Sequence, residues 1–86
     1  MNKKQKYFDE LIEELLKIKD EKSLEEFLNG LLTQSELVEI PMRIQIIKML
    51  KQGIPQHQIA EKLGVGIATV TRGSSELKKG KFKNIK

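Results

Sequence analysis

Eighty-six residues with one histidine, no cysteine and a formal net charge of +4 leave few function classes open. A chain of this length has room for one domain that buries about 60–65% of its surface, so self-association is a ready source of further burial. The lack of cysteine excludes disulfides and thiolate chemistry, and the single His57 argues against a histidine metal centre or a serine–histidine relay.

The N-terminal stretch MNKKQKYFDELIEELL carries acids where a signal peptide would have its apolar core, and no apolar run approaches membrane-spanning length. A soluble, cytoplasmic protein is the expectation. The charge is unevenly spread. Up to Ile40 there are six lysines and ten acids, a net of −4; from Pro41 onward there are ten Lys/Arg and two glutamates, a net of +8. That polarity suits a scaffold half and a half that faces a polyanion.

Every segment reads as helical. Tyr7, Phe8, Leu11, Ile12, Leu15 and Leu16 form one apolar stripe, with Glu13 and Lys17 as an i,i+4 pair in the favourable order. The run Lys19–Lys22 interrupts the pattern. Ser23 and Glu26 then have the spacing of a capping box ahead of Leu24, Phe27, Leu28 and Leu31, and Gly30 weakens this second helix near its end. Thr33 and Glu36 repeat the capping-box spacing and open a third helix. Its apolar residues (Leu37, Val38, Ile40, Met42, Ile44, Ile46, Ile47, Met49, Leu50) cover more than one face, which favours a subunit interface around it. Pro41 predicts a kink or a break. Gly53 supplies a C-cap, Pro55 suits the first turn of a fourth helix ending at Leu63, and Gly64 stops it. A fifth helix is expected from Ile67 to about Lys79, leaving 80–86 as a basic, mobile tail on a single helical domain, 1–79.

The stretch IPQHQIAEKLGVGIATVTRG holds the functional signal. Ile59, Ala60 and Leu63 give the inner face of one short helix, Val65 plugs the turn, and Ile67, Val70 and Leu77 face inward from the next. Ala60 allows a close crossing, and Gly64 falls where the turn needs a left-handed residue. This is the helix-turn-helix pattern, over about 55–79, with an ordinary helical hairpin as the plainer alternative. The outward face of the second helix is Ala68, Thr69, Thr71, Arg72 and Ser75, short side chains that let a backbone sit deep in a major groove. Free N–H groups around Gly66, Ile67 and Ala68 suit a phosphate oxygen, and Lys78, Lys79, Lys81 and Lys83 supply the salt-dependent term. Gln56 and His57, at the start of the first helix, complete the candidate DNA contacts.

The run GVGIATVTRGSSELKKG, with LLTQSEL and PMRIQIIKMLKQG before it, resembles the tryptophan repressor family over about Leu31–Lys79. The resemblance implies an intertwined, five-helix, all-α homodimer that binds operator DNA, with L-tryptophan as corepressor. It implies that Arg43 and Arg72 hold the ligand between them, one stacking on the indole and one binding the carboxylate. It places Leu32 and Thr33, from the partner subunit, at the ammonium group. Gly73 is then the residue that lets the ring approach the helix, and Thr69 lies in the pocket region. The ligand would set the tilt of two reading heads about 34 Å apart. Three departures stand out: Glu76 replaces a serine near the ammonium group, His57 falls where an arginine often reads DNA, and the Gly53–Gly64 connection is one residue shorter, with Ala60 in place of a basic contact. The chain also stops where the family usually has another helix, so some of the dimer's outer packing is expected to be replaced. A relative with no effector or a different one, and a helical protein-interaction module, are the other readings. No nucleophile–base pair, metal cluster or phosphate loop points to an enzyme.

Overall fold

The computed structural model describes residues 2–86, and among them are five helices and no strand. In chain order these are α1 (Lys3–Lys17), α2 (Glu21–Leu31), α3 (Gln34–Lys51), α4 (Gln56–Leu63) and α5 (Ile67–Lys78). The chain divides into two compact units, one ending at Leu37 and the other Val38–Lys86.

In the first unit no residue of α1 or α2 is buried, and the apolar stripe of α1 lies open at Tyr7, Phe8, Ile12 and Leu16. Lys17 pairs with Glu14 at 3.0 Å rather than with Glu13. Both i−3 and i−4 neighbours lie within reach on a helix, and at this exposed site the side-chain rotamer chooses between them. The second helix begins earlier than the Ser23 box predicts: Asp20 is the N-cap, its carboxylate accepting from the Ser23 backbone N–H at 2.9 Å. Starting there adds a turn and still satisfies an orphan N–H. The third helix opens as expected, with Thr33 N–H donating to Glu36 Oε1 (2.9 Å) and Glu36 N–H donating to Thr33 Oγ1 (3.1 Å). Pro41 does not break it, because α3 runs through to Lys51. The helix forgoes the one bond that an N–H at 41 would give to Leu37 O, a loss offset by the anchoring of its C-terminal half in the core.

That core belongs to the second unit. Ile46 and Met49 of α3, Ile59 of α4 and Val70 of α5 are buried together, with Leu50, Ile54, Ala60, Leu63 and Val65 packed against them. Each of the four buried side chains contributes about 1.5–3 kcal/mol when withdrawn from water. Two glycines set the corners. Gly53, at φ 83°, ends α3 with Gly53 N–H donating to Leu50 O and Ile54 N–H donating to Met49 O, the paired bonds of a Schellman turn. Gly64, at φ 67°, ends α4 while the Val65 N–H reaches back to Ala60 O and carries Val65 into the core. Pro55 is the N-cap of α4 rather than its first residue. Ile67 departs from the expected inner face and is 51% exposed. As the first residue of α5 it precedes the crossing that buries Val70.

Candidate functional site

Two surfaces of α5 carry the candidate residues. Toward α3, a cavity of about 410 Å³ is walled by Arg43, Ile44, Ile46 and Ile47 on one side and by Ala68, Thr69, Arg72, Gly73 and Glu76 on the other. Its size falls within the range usual for small-molecule sites. The wall is mostly apolar, with two guanidiniums and one carboxylate as its charged groups. Five of the residues expected at a ligand site (Arg43, Thr69, Arg72, Gly73 and Glu76) are thus brought together. Leu32 and Thr33 belong to the first unit, at the α2–α3 junction, where Thr33 serves as N-cap.

Close approach of α5 to α3 at this point depends on Gly73. A Cβ there would lie 3.3 Å from Ile46 Cγ2 and 3.4 Å from Ile47 Cδ1. Glycine is therefore fixed by helix packing as well as by any need for space in the cavity. Glu76 is the odd member. Its side chain is about one-third exposed (32%), yet Oε2 itself is buried and has no hydrogen-bond partner. Lys79 Nζ stands 3.6 Å from that oxygen, close enough for attraction and too far for a hydrogen bond.

Phe82 also lines the cavity, a residue that sequence patterning left in a basic tail. It takes a left-handed backbone conformation (φ 61°), and the Lys51 ammonium donates to the carbonyls of both Phe82 and Ile85. A left-handed non-glycine residue costs about 1–3 kcal/mol and is kept only where its surroundings hold it. The partner that holds it lies 31 residues away in sequence, so no local signal could have marked Phe82.

A neighbouring groove runs along Ala68, Thr71, Arg72, Ser75 and Glu76 of α5 to Lys79 at its C-cap and shares Ala68, Arg72 and Glu76 with the cavity, so the outward face is nearly as read from the sequence, with Thr69 turned to the cavity instead. Thr71 Oγ1 donates to Gln56 Oε1 at 2.8 Å, tying the middle of α5 to the first turn of α4. His57, Gly66, Ala68, Ser75, Lys78 and Lys79 are exposed. The helix starts differ in a way that bears on anions. Asn2, Asp20 and Thr33 cap α1, α2 and α3 with side-chain oxygens. By contrast α4 and α5 begin at Pro55 and Gly66 with no side-chain cap and no acid in the first turn. Their positive ends are left to whatever lies outside.

The Trp repressor protein family model matches residues 6–84. A Trp operon repressor homolog of Vibrio campbellii is 39% identical over 74 residues, covering 85% of this chain and 74% of that protein. A second, from Chlamydia trachomatis, is 43% identical over 63 residues (72% and 67%), and one from Vibrio cholerae is 49% identical over 55 residues (63% and 53%). No solved structure matches the chain with significance.

Proposed function

The chain belongs to the Trp repressor family, and from that premise we propose that it is a homodimeric, cytoplasmic transcriptional repressor whose binding to operator DNA is raised by L-tryptophan. The observation that carries this reading is the double use of α5. One side walls a cavity with a guanidinium from each of two helices, and the other borders a groove of short hydroxyl and basic side chains in which Glu76 is the one acid.

The chemistry of the cavity suits a flat aromatic amino acid. Ile46, Ile47 and Gly73 offer apolar contact to an indole. One guanidinium takes the carboxylate through two parallel N–H···O bonds, and the other stacks on the ring. By the family resemblance, Leu32 and Thr33 of a second copy complete the ammonium end. Such a dimer also accounts for the α1 stripe and for Val38, Ile40 and Ile44, which a single chain leaves exposed. On DNA, α4 and α5 act as a helix-turn-helix. The uncapped N-termini and Gln56 and His57 meet phosphates, Ala68, Thr71 and Ser75 meet base edges, and Lys78 and Lys79 add the salt-dependent term. Tryptophan between α3 and α5 favours the tilt of α5 that fits the groove, and it shifts that equilibrium only by its preference for one tilt.

The test is an operator gel shift with and without L-tryptophan at fixed salt, paired with calorimetry. Tryptophan should tighten operator binding and bind saturably, and Arg72→Ala should abolish its heat. No heat at millimolar tryptophan, with salt-sensitive DNA binding retained, would instead establish a regulator with a different effector. The presence of Glu76 in a serine position favours that second reading. Absence of any salt-dependent DNA binding would leave a protein-interaction module.

A further inference from the structure

We propose that the C-terminal segment 80–86 is a strap that closes the cavity over its ligand, with Phe82 as the wall it brings and Lys51 as its latch. The inference rests on the tryptophan reading above and concerns residues to which that reading gives no role.

By composition KFKNIK reads as a solvated tail, yet its two apolar residues, Phe82 and Ile85, are half-buried while Lys81, Lys83, Asn84 and Lys86 are exposed. Two turns produce that pattern. Gly80, at φ 90°, ends α5 with its N–H donating to Leu77 O (3.0 Å) and the Lys81 N–H donating to Glu76 O (3.2 Å). These are the paired bonds of a Schellman turn, and they send the chain back. Two residues on, Phe82 takes its left-handed conformation and the Ile85 N–H donates to its carbonyl at 3.2 Å, so the chain turns again and Phe82 comes to line the cavity. The Lys51 ammonium, in the last turn of α3, gathers the carbonyls of Phe82 and Ile85. The strap is thus held by one exposed cation and two half-buried side chains. A segment held by so little opens at far lower cost than the packed helices beside it. Every other residue of the cavity wall belongs to α3 or α5, so Phe82 is the wall that can leave without breaking the core. When it returns, a flat ring meets a flat ligand, and an aromatic pair gains beyond the area it buries. Closing therefore tightens binding chiefly by slowing escape.

The chain has no tryptophan of its own, so the fluorescence of bound L-tryptophan reports on the cavity directly. The experiment follows that emission in the full chain, without DNA, by equilibrium titration and by stopped-flow dilution. Wild type should bind tryptophan with a blue-shifted emission. Phe82→Ala should speed dissociation about tenfold, weaken binding comparably and reverse part of the blue shift. Phe82→Leu keeps apolar bulk and should recover most of each loss. Lys51→Met leaves Phe82 in the chain and frees the strap, so dissociation should be several-fold faster. Because Lys51 is exposed, this variant keeps the test decisive if Phe82→Ala does not fold. Unchanged dissociation and emission in Phe82→Ala, tighter binding in that variant, or wild-type dissociation in Lys51→Met overturns the inference while tryptophan binding stands. No change in tryptophan emission or affinity signal with wild type defeats the tryptophan reading itself, and this inference with it.

Discussion

Replacing Gly73 with alanine sets helix propensity against packing, and the structure says which wins. In a helix interior alanine is better than glycine by about 1 kcal/mol. Gly30, in α2, shows the unopposed case: nothing lies within 4 Å of an added Cβ, so Gly30→Ala should stabilise by about 0.5–1 kcal/mol. At Gly73 the new methyl would lie 3.3 Å from Ile46 Cγ2, 3.4 Å from Ile47 Cδ1 and 3.6 Å from Leu50 Cδ1. Carbon atoms prefer about 3.5–4.0 Å. Ile46 and Ile47 are 1% and 3% exposed, so neither can swing into solvent to make room. Overpacking of this kind costs about 1–3 kcal/mol. The balance is a net loss of about 1 kcal/mol, with Gly73→Ala about 2 kcal/mol below Gly30→Ala.

Urea titrations followed by circular dichroism measure both variants against wild type. Protein concentration must be held fixed, because association adds to apparent stability. In melting temperature the loss corresponds to a fall of about 4–8 °C for a chain of this size. If Gly73→Ala proves as stabilising as Gly30→Ala, the close contact of α5 with α3 is not real, and the cavity drawn from it falls too.

Three further outcomes follow from single contacts. Ile59→Ala removes a fully buried side chain from the centre of the second unit and should cost about 2–5 kcal/mol, read from the same urea titration. Lys51→Met releases the carbonyls of Phe82 and Ile85, so the tryptophan dissociation constant should rise several-fold in calorimetry while the urea midpoint hardly moves. The Ser23 backbone N–H, then its side chain, hold the Asp20 carboxyl below the ordinary aspartate value. A pKa lowered by folding gives stability that is present above the unfolded value and lost as pH falls through the folded one. Asp20→Asn keeps a capping oxygen but should remove that part of the acid-induced loss, seen as a flatter acid limb of melting temperature against pH.

What the sequence makes legible here is mostly what is decided locally. The Thr33–Glu36 capping box, the glycine ends of α3 and α4, and the inner residues Ile59 and Val70 each depend on a few neighbours, and each stands where the pattern puts it. At Asp20 and Ser23 two capping signals three residues apart compete, and local reading cannot weigh the extra turn that the earlier start adds. At Pro41 the local penalty is real, but burial of Ile46, Ile47 and Met49 outweighs it. Ile67 has the helical phase of Val70, yet phase does not say where α4 ends and solvent begins. Of the cavity, Arg43, Thr69, Arg72, Gly73 and Glu76 came with the family resemblance. Phe82 came with nothing, since its placement depends on Lys51. The second role of Gly73, as a packing residue, is likewise visible only once Ile46 and Ile47 are in place.

On the proposed reading, ligand site and DNA face share a helix of 12 residues, and Ala68, Arg72 and Glu76 border both. Coupling then needs no chain of intermediaries, because a change in how α5 leans on α3 is already a change in what its other side presents. Gly73, in contact with α3, is the natural fulcrum, and a ligand lodged between Arg43 and Arg72 acts beside it. Such coupling must be reciprocal. If two bound tryptophans tighten operator binding by the dimer tenfold, about 1.4 kcal/mol, then saturating operator must tighten the two tryptophan sites by the same tenfold factor in total, about threefold at each. Calorimetric titration of tryptophan into free protein and into the operator complex, at one salt concentration, measures this directly. Equal tryptophan affinities in the two at calorimetric concentrations, where the chains are already paired, alongside a gel shift that responds to tryptophan at much lower protein concentration, would mean that the ligand acts through association of the chains rather than through the tilt of α5.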